Sequence, residues 1–387
     1  VSLRSSGPVQ AKGAPCLFYR EFRNNENVRR VTPAVCRDGT ADHARSGHDV
    51  VWAGERMLLW GGDHGGRFPY GDPVRAGLIY EPASRRWSLL PSPEGPVTSA
   101  EVAVWTGSEM IVAGLTNRTW NTVVRSFDPS TASWRTIRFP FDDWSGFEGV
   151  WTGSELILWG GPDHSLKPYR RGIAYSPSED GWRRTARAPV PGRWGHTLTW
   201  TGSEMIVLGG TDSDSDRGDG AAYDPAGDSW RRIASAPIPA RQWTETVWTG
   251  TELIVWGGSS ISRARADGAA YDPATDSWRL LPGSPLRPRY DHSITWTGSE
   301  VLIFGGYDYK RTLGDAAAYD PIRDAWRKLP KAPIRARCCH SAIWTGTEMV
   351  VFGGSPGFGH IAYGDGAAYD PIRDRWRLLL PAPQLSR

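Results

Sequence analysis

The sequence of 387 residues has no long apolar stretch. Runs such as Met57–Trp60 and Met349–Phe352 are its longest, far too short to cross a bilayer, so no membrane span is expected. No segment repeats its apolar residues with a helical period. There is no concentrated basic face either: the net charge is +3 and the basic residues are scattered, which argues against a nucleic-acid partner. Gly-rich phosphate loops, nucleophile elbows and paired zinc-ligand motifs are all missing, so no local motif announces an enzyme class. Cysteine is scarce, with Cys16 and Cys36 near the N-terminus and the adjacent pair Cys338–Cys339. Residues 1–42 show little hydrophobic periodicity, and a Cys16–Cys36 bridge would supply order that packing cannot. That reading expects an oxidising compartment, secreted or periplasmic, although no signal segment is visible. Val1 is no initiator methionine, so a processed or truncated form is expected. The alternative is a cytosolic chain with four reduced thiols.

What the sequence does contain is one unit repeated seven times. Trp-Thr-Gly, once Trp-Ala-Gly, begins at Trp52, Trp105, Trp151, Trp200, Trp248, Trp296 and Trp344. Each is followed by an aromatic-x-Pro and, five residues after the proline, a tryptophan: Tyr80…Trp87, Phe127…Trp134, Tyr175…Trp182, Tyr223…Trp230, Tyr271…Trp278, Tyr319…Trp326 and Tyr369…Trp376. Repeats of about 40–50 residues carrying four short strands are propeller blades. In the last unit the pattern predicts strands over Ser341–Trp344, Met349–Phe352, Ala367–Tyr369 and Trp376–Leu379. The expected fold is all-β, a single seven-bladed propeller over 43–387 with an extension over 1–42.

A Gly-Gly doublet closes the second strand at Gly61–Gly62, Gly160–Gly161, Gly209–Gly210, Gly257–Gly258, Gly305–Gly306 and Gly353–Gly354, with Ala113–Gly114 in the second unit. With the spaced Tyr and Trp, this resembles the kelch repeat family, and among its members the secreted bacterial-type proteins whose central propeller is like that of galactose oxidase. The resemblance implies a fold and says little of function, since kelch propellers serve as enzymes, protein-binding platforms and sugar binders. It would imply copper only with an adjacent Tyr-His pair. Tyr290 and His292 are not adjacent, so copper is not expected and no cofactor is required.

Seven copies serve as an internal control, because a residue recurring at one position reads as scaffold and a departure asks for a reason. Alternating strands put both long variable stretches on one face of the disc. Seventeen of the 21 tryptophans occupy recurring positions, leaving Trp120, Trp144, Trp194 and Trp243, all on the variable face. Flat aromatic surface suits sugar rings, peptides or aromatic ligands, and the alternative is packing beneath their own loops. Seven residues before the Trp-Thr-Gly tryptophan stand Arg45, Arg193, Arg241, Arg289 and Arg337. They read either as a ring gripping a carboxylate or as partners of Asp219, Asp267, Asp315 and Asp365, with Arg45 lacking such a partner. His48, His196, His292 and His340 recur four residues before the tryptophan, so they read as scaffold first. Glu101, Phe147 and Thr244 replace them elsewhere.

The expected ligand site is therefore the mouth of the pore, with Arg45, Trp120, Trp144, Trp194, Trp243, Glu101, Gln242 and Tyr290 as binding residues and Glu148 and Glu245 nearby. The first-choice ligand is an acidic or neutral carbohydrate, or another small anion. A second reading is an enzyme on an acidic sugar, an epimerase, mutarotase or β-eliminating uronate lyase, with His64, His164, His292 and Tyr290 as candidate proton movers. A third is a protein-interaction platform. Asp212, Asp214, Asp216 and Asp219 alternate as in a calcium loop, without the late Glu of an EF-hand, and the plainer reading is a solvated acidic loop. Cys338 and Cys339 stand as a vicinal disulfide, a ligand pair with His340, or two inert thiols, the last preferred.

Overall fold

The computed structural model describes residues 43–382 other than 65–73, 75, 95–97, 117–120, 142–143, 163–166, 213, 261–262 and 358–359. Cys16, Cys36, Trp120 and His164 therefore lie outside the described residues. Seven four-stranded antiparallel sheets follow one another in chain order, and no α-helix occurs among the described residues. The first strands are Ser46–Ala53, Thr98–Trp105, Glu148–Trp151, Trp194–Trp200, Glu245–Trp248, Ser293–Trp296 and Ser341–Trp344. Each contacts the first strand of the next blade, so these strands ring the axis and line the central channel. In blade 7 the remaining strands run Met349–Phe352, Gly366–Asp370 and Arg375–Leu378, within a residue of expectation. A two-residue ribbon, Ser259–Ser260 against Arg263–Ala264, decorates blade 5 and has no forewarning in the repeat.

Second strands are buried along their length because both of their faces meet neighbouring blades. Met349, Val350, Val351 and Phe352 are all at most 2% exposed. The fourth-strand tryptophans lie on the third-strand aromatics, as Trp230 does on Tyr223 with ring centroids 4.9 Å apart. Each indole N–H then reaches a carbonyl at the trailing end of the preceding blade, Trp230 to Ala186 at 3.0 Å and Trp278 to Ala234 at 2.8 Å. Ring closure uses the same contacts. Blade 1 and blade 7 each take all four strands from contiguous chain, so no strand is exchanged. Trp87 donates to Leu380 O at 2.9 Å, Arg377 reaches the Tyr80 hydroxyl at 3.3 Å, and the Trp87 and Phe352 rings lie 4.8 Å apart.

The glycine doublet has a steric cause. At Gly353 φ is +68°, and a Cβ would stand 2.7 Å from Arg45 O and 2.5 Å from His48 Cε1 of the next blade. Gly354 N–H donates to that same Arg45 carbonyl at 2.8 Å. The doublet is thus where one blade docks on the next, which only glycine permits.

Candidate functional site

The recurring arginines are staples. Arg337 is fully buried and donates from Nε to Arg335 O at 3.0 Å, and from Nη1 to Gly353 O at 2.7 Å and Asp365 O at 3.2 Å. Its Nη2 meets Asp365 Oδ1 at 2.9 Å. Arg193–Asp219, Arg241–Asp267 and Arg289–Asp315 repeat the pair at 2.8–2.9 Å, as the co-occurrence in sequence anticipates. Arg45 lacks the aspartate but not the role: it is fully buried and donates to the carbonyls of His43, Gly61 and Ala76. This corrects its assignment to an anionic ligand, because its donor groups are already directed at backbone.

Trp144 needs the same correction. It stands where an arginine would and is 2% exposed. Its indole donates to Gly160 O at 2.6 Å, the bond that Arg337 makes to Gly353. Phe147 and Tyr169 pack on it at 5.3 and 5.4 Å. It is core.

The histidines are inter-blade wedges. His48, His196, His292 and His340 each meet, edge to face, the last aromatic of the preceding blade's second strand: Phe352, Trp159, Trp256 and Phe304. Where that residue is Ala113 the histidine is replaced by Phe147, and the two share one core cluster. Large against small keeps the volume filled. His292 is 3% exposed, and burial holds its imidazole well below the usual range, so the structure places it in the scaffold. His64 is half-buried with Nδ1 at 2.9 Å from Ala44 O.

The acidic loop is likewise engaged. Asp212 pairs with Arg217, Asp219 with Arg193, and Asp214 is exposed. Among the described residues no three His, Cys, Asp or Glu side chains are grouped to hold a metal ion. Cys338 and Cys339 are free thiols with their sulfurs 3.3 Å apart.

What the structure does gather is a mouth on the variable face. Five residues before the Trp-Thr-Gly tryptophan the backbone turns left-handed, with φ of +62° at Gly47, +64° at Gly146 and +60° at Gly195. The next three blades hold the same turn without glycine: Trp243 at +50°, Asp291 at +51° and Cys339 at +56°. Backbone bonds tie these turns around the opening, Trp243 N to Gly195 O at 2.9 Å and Gly47 N to Cys339 O at 3.0 Å. One position earlier, blades 1–3 carry Ser46, Ser99 and Ser145, whereas blades 4–7 carry Trp194, Gln242, Tyr290 and Cys338. The bulk is therefore all on one side of the channel.

Trp243 is 43% exposed and stacked on Tyr290 at 5.7 Å and 28°. Tyr290 is itself 4% exposed and packs on Tyr309 at 4.7 Å, while Tyr309 bonds Ser259. Gln242 exchanges backbone bonds with Ser259 at 2.8 Å in both directions. Trp194 is half-buried on blade 4, the blade before. Burial, then Asp291, pushes the Tyr290 phenol far above its ordinary range, so it stays protonated. Below the mouth the first strands bring Asp49, Glu101, Glu148 and Glu245 into one another's field. Burial raises Asp49 to about 6, Glu101 to about 7 and Asp291 to about 7. Glu245 rises to about 8 through burial and Asp291, and Glu148 rises well above its range through burial and its three acidic neighbours. Glu101 also accepts a bond from Gly146 N at 3.0 Å. Asp49 and Asp291 are the members that the repeat comparison passes over. The signal for Asp291 was a non-glycine at a position where other blades hold glycine.

Residues 195–385 match the KLHDC2/KLHL20/DRC7 Kelch-repeats domain, a span that takes in blades 4 to 7. No curated protein matches the chain. The match, the glycine doublets and the seven four-stranded blades agree: the chain is a seven-bladed β-propeller whose blades 4 to 7 match the Kelch repeat.

Proposed function

We propose that this chain is a binding protein whose ligand sits over the mouth of the central channel on blades 4 to 6, and that the ligand is a neutral carbohydrate. A Kelch propeller is consistent with ligand or protein partners alike. The observation that carries the finer reading is Trp243, an exposed indole held in a left-handed backbone turn and stacked on Tyr290. A non-glycine residue in that conformation costs roughly 1 kcal/mol, and such strain persists where the side chain is used. Flat aromatic faces stack on sugar rings, while Gln242 and the Asp291 and Glu245 carboxylates suit hydroxyl donors. An acidic sugar would find the ring arginines Arg193, Arg241 and Arg289 already paired with aspartates. That argues against the uronate chemistry.

The test uses the repeat itself. Trp243→Gly installs the residue found at this place in blades 1, 3 and 4, so relief of strain and loss of chain stiffness nearly cancel, and stability should stay within about 1 kcal/mol of the parent. A neutral glycan selected on an array should lose roughly thirtyfold in affinity, the usual cost of about 2 kcal/mol for a truncated aromatic anchor. Trp230→Ala is the contrast. It removes a core ring and its bond to Ala186, and should destabilise by about 3–5 kcal/mol. Retention of no neutral glycan, or unchanged affinity in Trp243→Gly, overturns the assignment.

A further inference from the structure

Blade 3 departs from its neighbours in a second way, away from the mouth. Four residues before the third-strand tyrosine, blades 4–7 place Asp219, Asp267, Asp315 and Asp365, each paired to its staple arginine. Blade 3 has Arg171 at that place and Trp144 in place of the arginine. Both halves of the ion pair are exchanged, and the charge at the outer position is reversed.

The local strands concentrate that charge. Arg171–Ser176 pairs with Gly181–Arg187, in a register that sets Arg171 directly opposite Arg187 across a bulge. Like charges opposite each other on paired strands are unfavourable unless something lies between them. Both line a cavity of about 390 Å³ together with Lys167, Arg170 and Arg184, over a floor that includes Tyr169. Arg170 is fixed by bonds to Ala188 O at 3.2 Å and Val190 O at 3.0 Å, and Arg184 lies 5.5 Å over the Phe141 ring. Among the described residues Arg171, Arg184 and Arg187 have no carboxylate at ion-pair distance, and Asp228 is the acidic side chain whose field Arg171 enters.

We propose that this pocket is a second binding site, for a small molecule bearing a phosphate or pyrophosphate group. Forked guanidinium donors match phosphate oxygens, and a counter-anion removes the mutual repulsion of the arginines. The cavity is of small-molecule size and concave, which suits a compact ligand rather than an extended chain. The site stands independently of the mouth.

Inorganic pyrophosphate is the probe. It should raise the melting temperature saturably beyond sodium chloride at matched ionic strength, as a ligand of the native state does. Arg171→Asp, which restores the residue of blades 4–7, should weaken pyrophosphate at least tenfold by calorimetry, with the unliganded melting temperature unchanged or higher. Arg184→Gln, an exposed side chain with little structural duty, should show the same loss. Trp243→Gly should leave the pyrophosphate response intact, which separates this site from the mouth. No saturable response, equal affinity for sulfate, or full affinity in both arginine variants overturns the proposal.

Discussion

Replacing Arg337 with methionine should lower the unfolding free energy by about 3–5 kcal/mol, the range for removing one partner of a buried, hydrogen-bonded charge. Methionine fills much of the volume, so the loss is chiefly of bonds. Four acceptors depend on this guanidinium: the carbonyls of Arg335, Gly353 and Asp365, and the Asp365 carboxylate. A buried carbonyl left without a donor costs roughly 1–3 kcal/mol. The Asp365 carboxylate is a different matter, since its side chain is 46% exposed. Asp365→Asn keeps an acceptor there and removes only a solvent-screened attraction, worth up to about 1 kcal/mol. Comparing the two variants by chemical denaturation therefore asks what the staple does. A larger loss for Arg337→Met means that it holds backbone loops together, and the aspartate neutralises it. Equal losses would mean that the ion pair carries the stability, and the reading of Arg45 as an equivalent staple without aspartate would fail with it.

The blades were legible because each position is sampled seven times. Repetition separated the seventeen tryptophans at recurring positions from the four that need their own account, and the shared absence of Arg and Asp in some blades gave the ion pairs. Departures were harder to read, since a substitution can preserve a role with different chemistry. Trp144 replaces an arginine and still donates to the glycine sixteen residues on, so its oddity marks a second solution to one structural problem. Trp243 breaks the pattern in a place where the side chain reaches solvent. Sequence alone could not rank these two, because exposure depends on the aromatic cluster of Phe139, Phe141, Phe147 and Tyr169 that gathers around Trp144 only in the fold. Ring closure was illegible for a related reason: Trp87 and Leu380 are joined only when the disc is complete.

The channel carboxylates give the protein an alkaline weakness. Glu101 and Asp291 at about 7, Glu245 at about 8 and Glu148, held well above its usual range by burial and its acidic neighbours, retain protons in the fold that the unfolded chain, with ordinary carboxylates near 4, has already released by pH 6. The unfolded state then binds fewer protons than the native one, so stability falls as pH rises through this range. Buried histidines act in the opposite sense on the acid side. His196 and His340 are held at about 3 by burial, with His48 and His292 also far below their usual range, so stability is lost as pH falls below about 6.5, where the unfolded imidazoles charge. Between pH 6.5 and 8 the carboxylates therefore dominate. A tenfold change in one proton-binding constant is worth about 1.4 kcal/mol. With several groups titrating in a partly hydrated channel, a fall of about 2 kcal/mol or more across this window is expected. Chemical denaturation at the two pH values measures it, and Glu148→Gln, which removes one titrating carboxyl from beside Asp49, Glu101 and Glu245, should flatten the slope and raise stability at pH 8. A parent protein more stable at pH 8 than at pH 6.5, or a Glu148→Gln variant with the parental slope, would show that these carboxylates are ionised and solvated in the native channel, and that the mouth above them carries a permanent negative field.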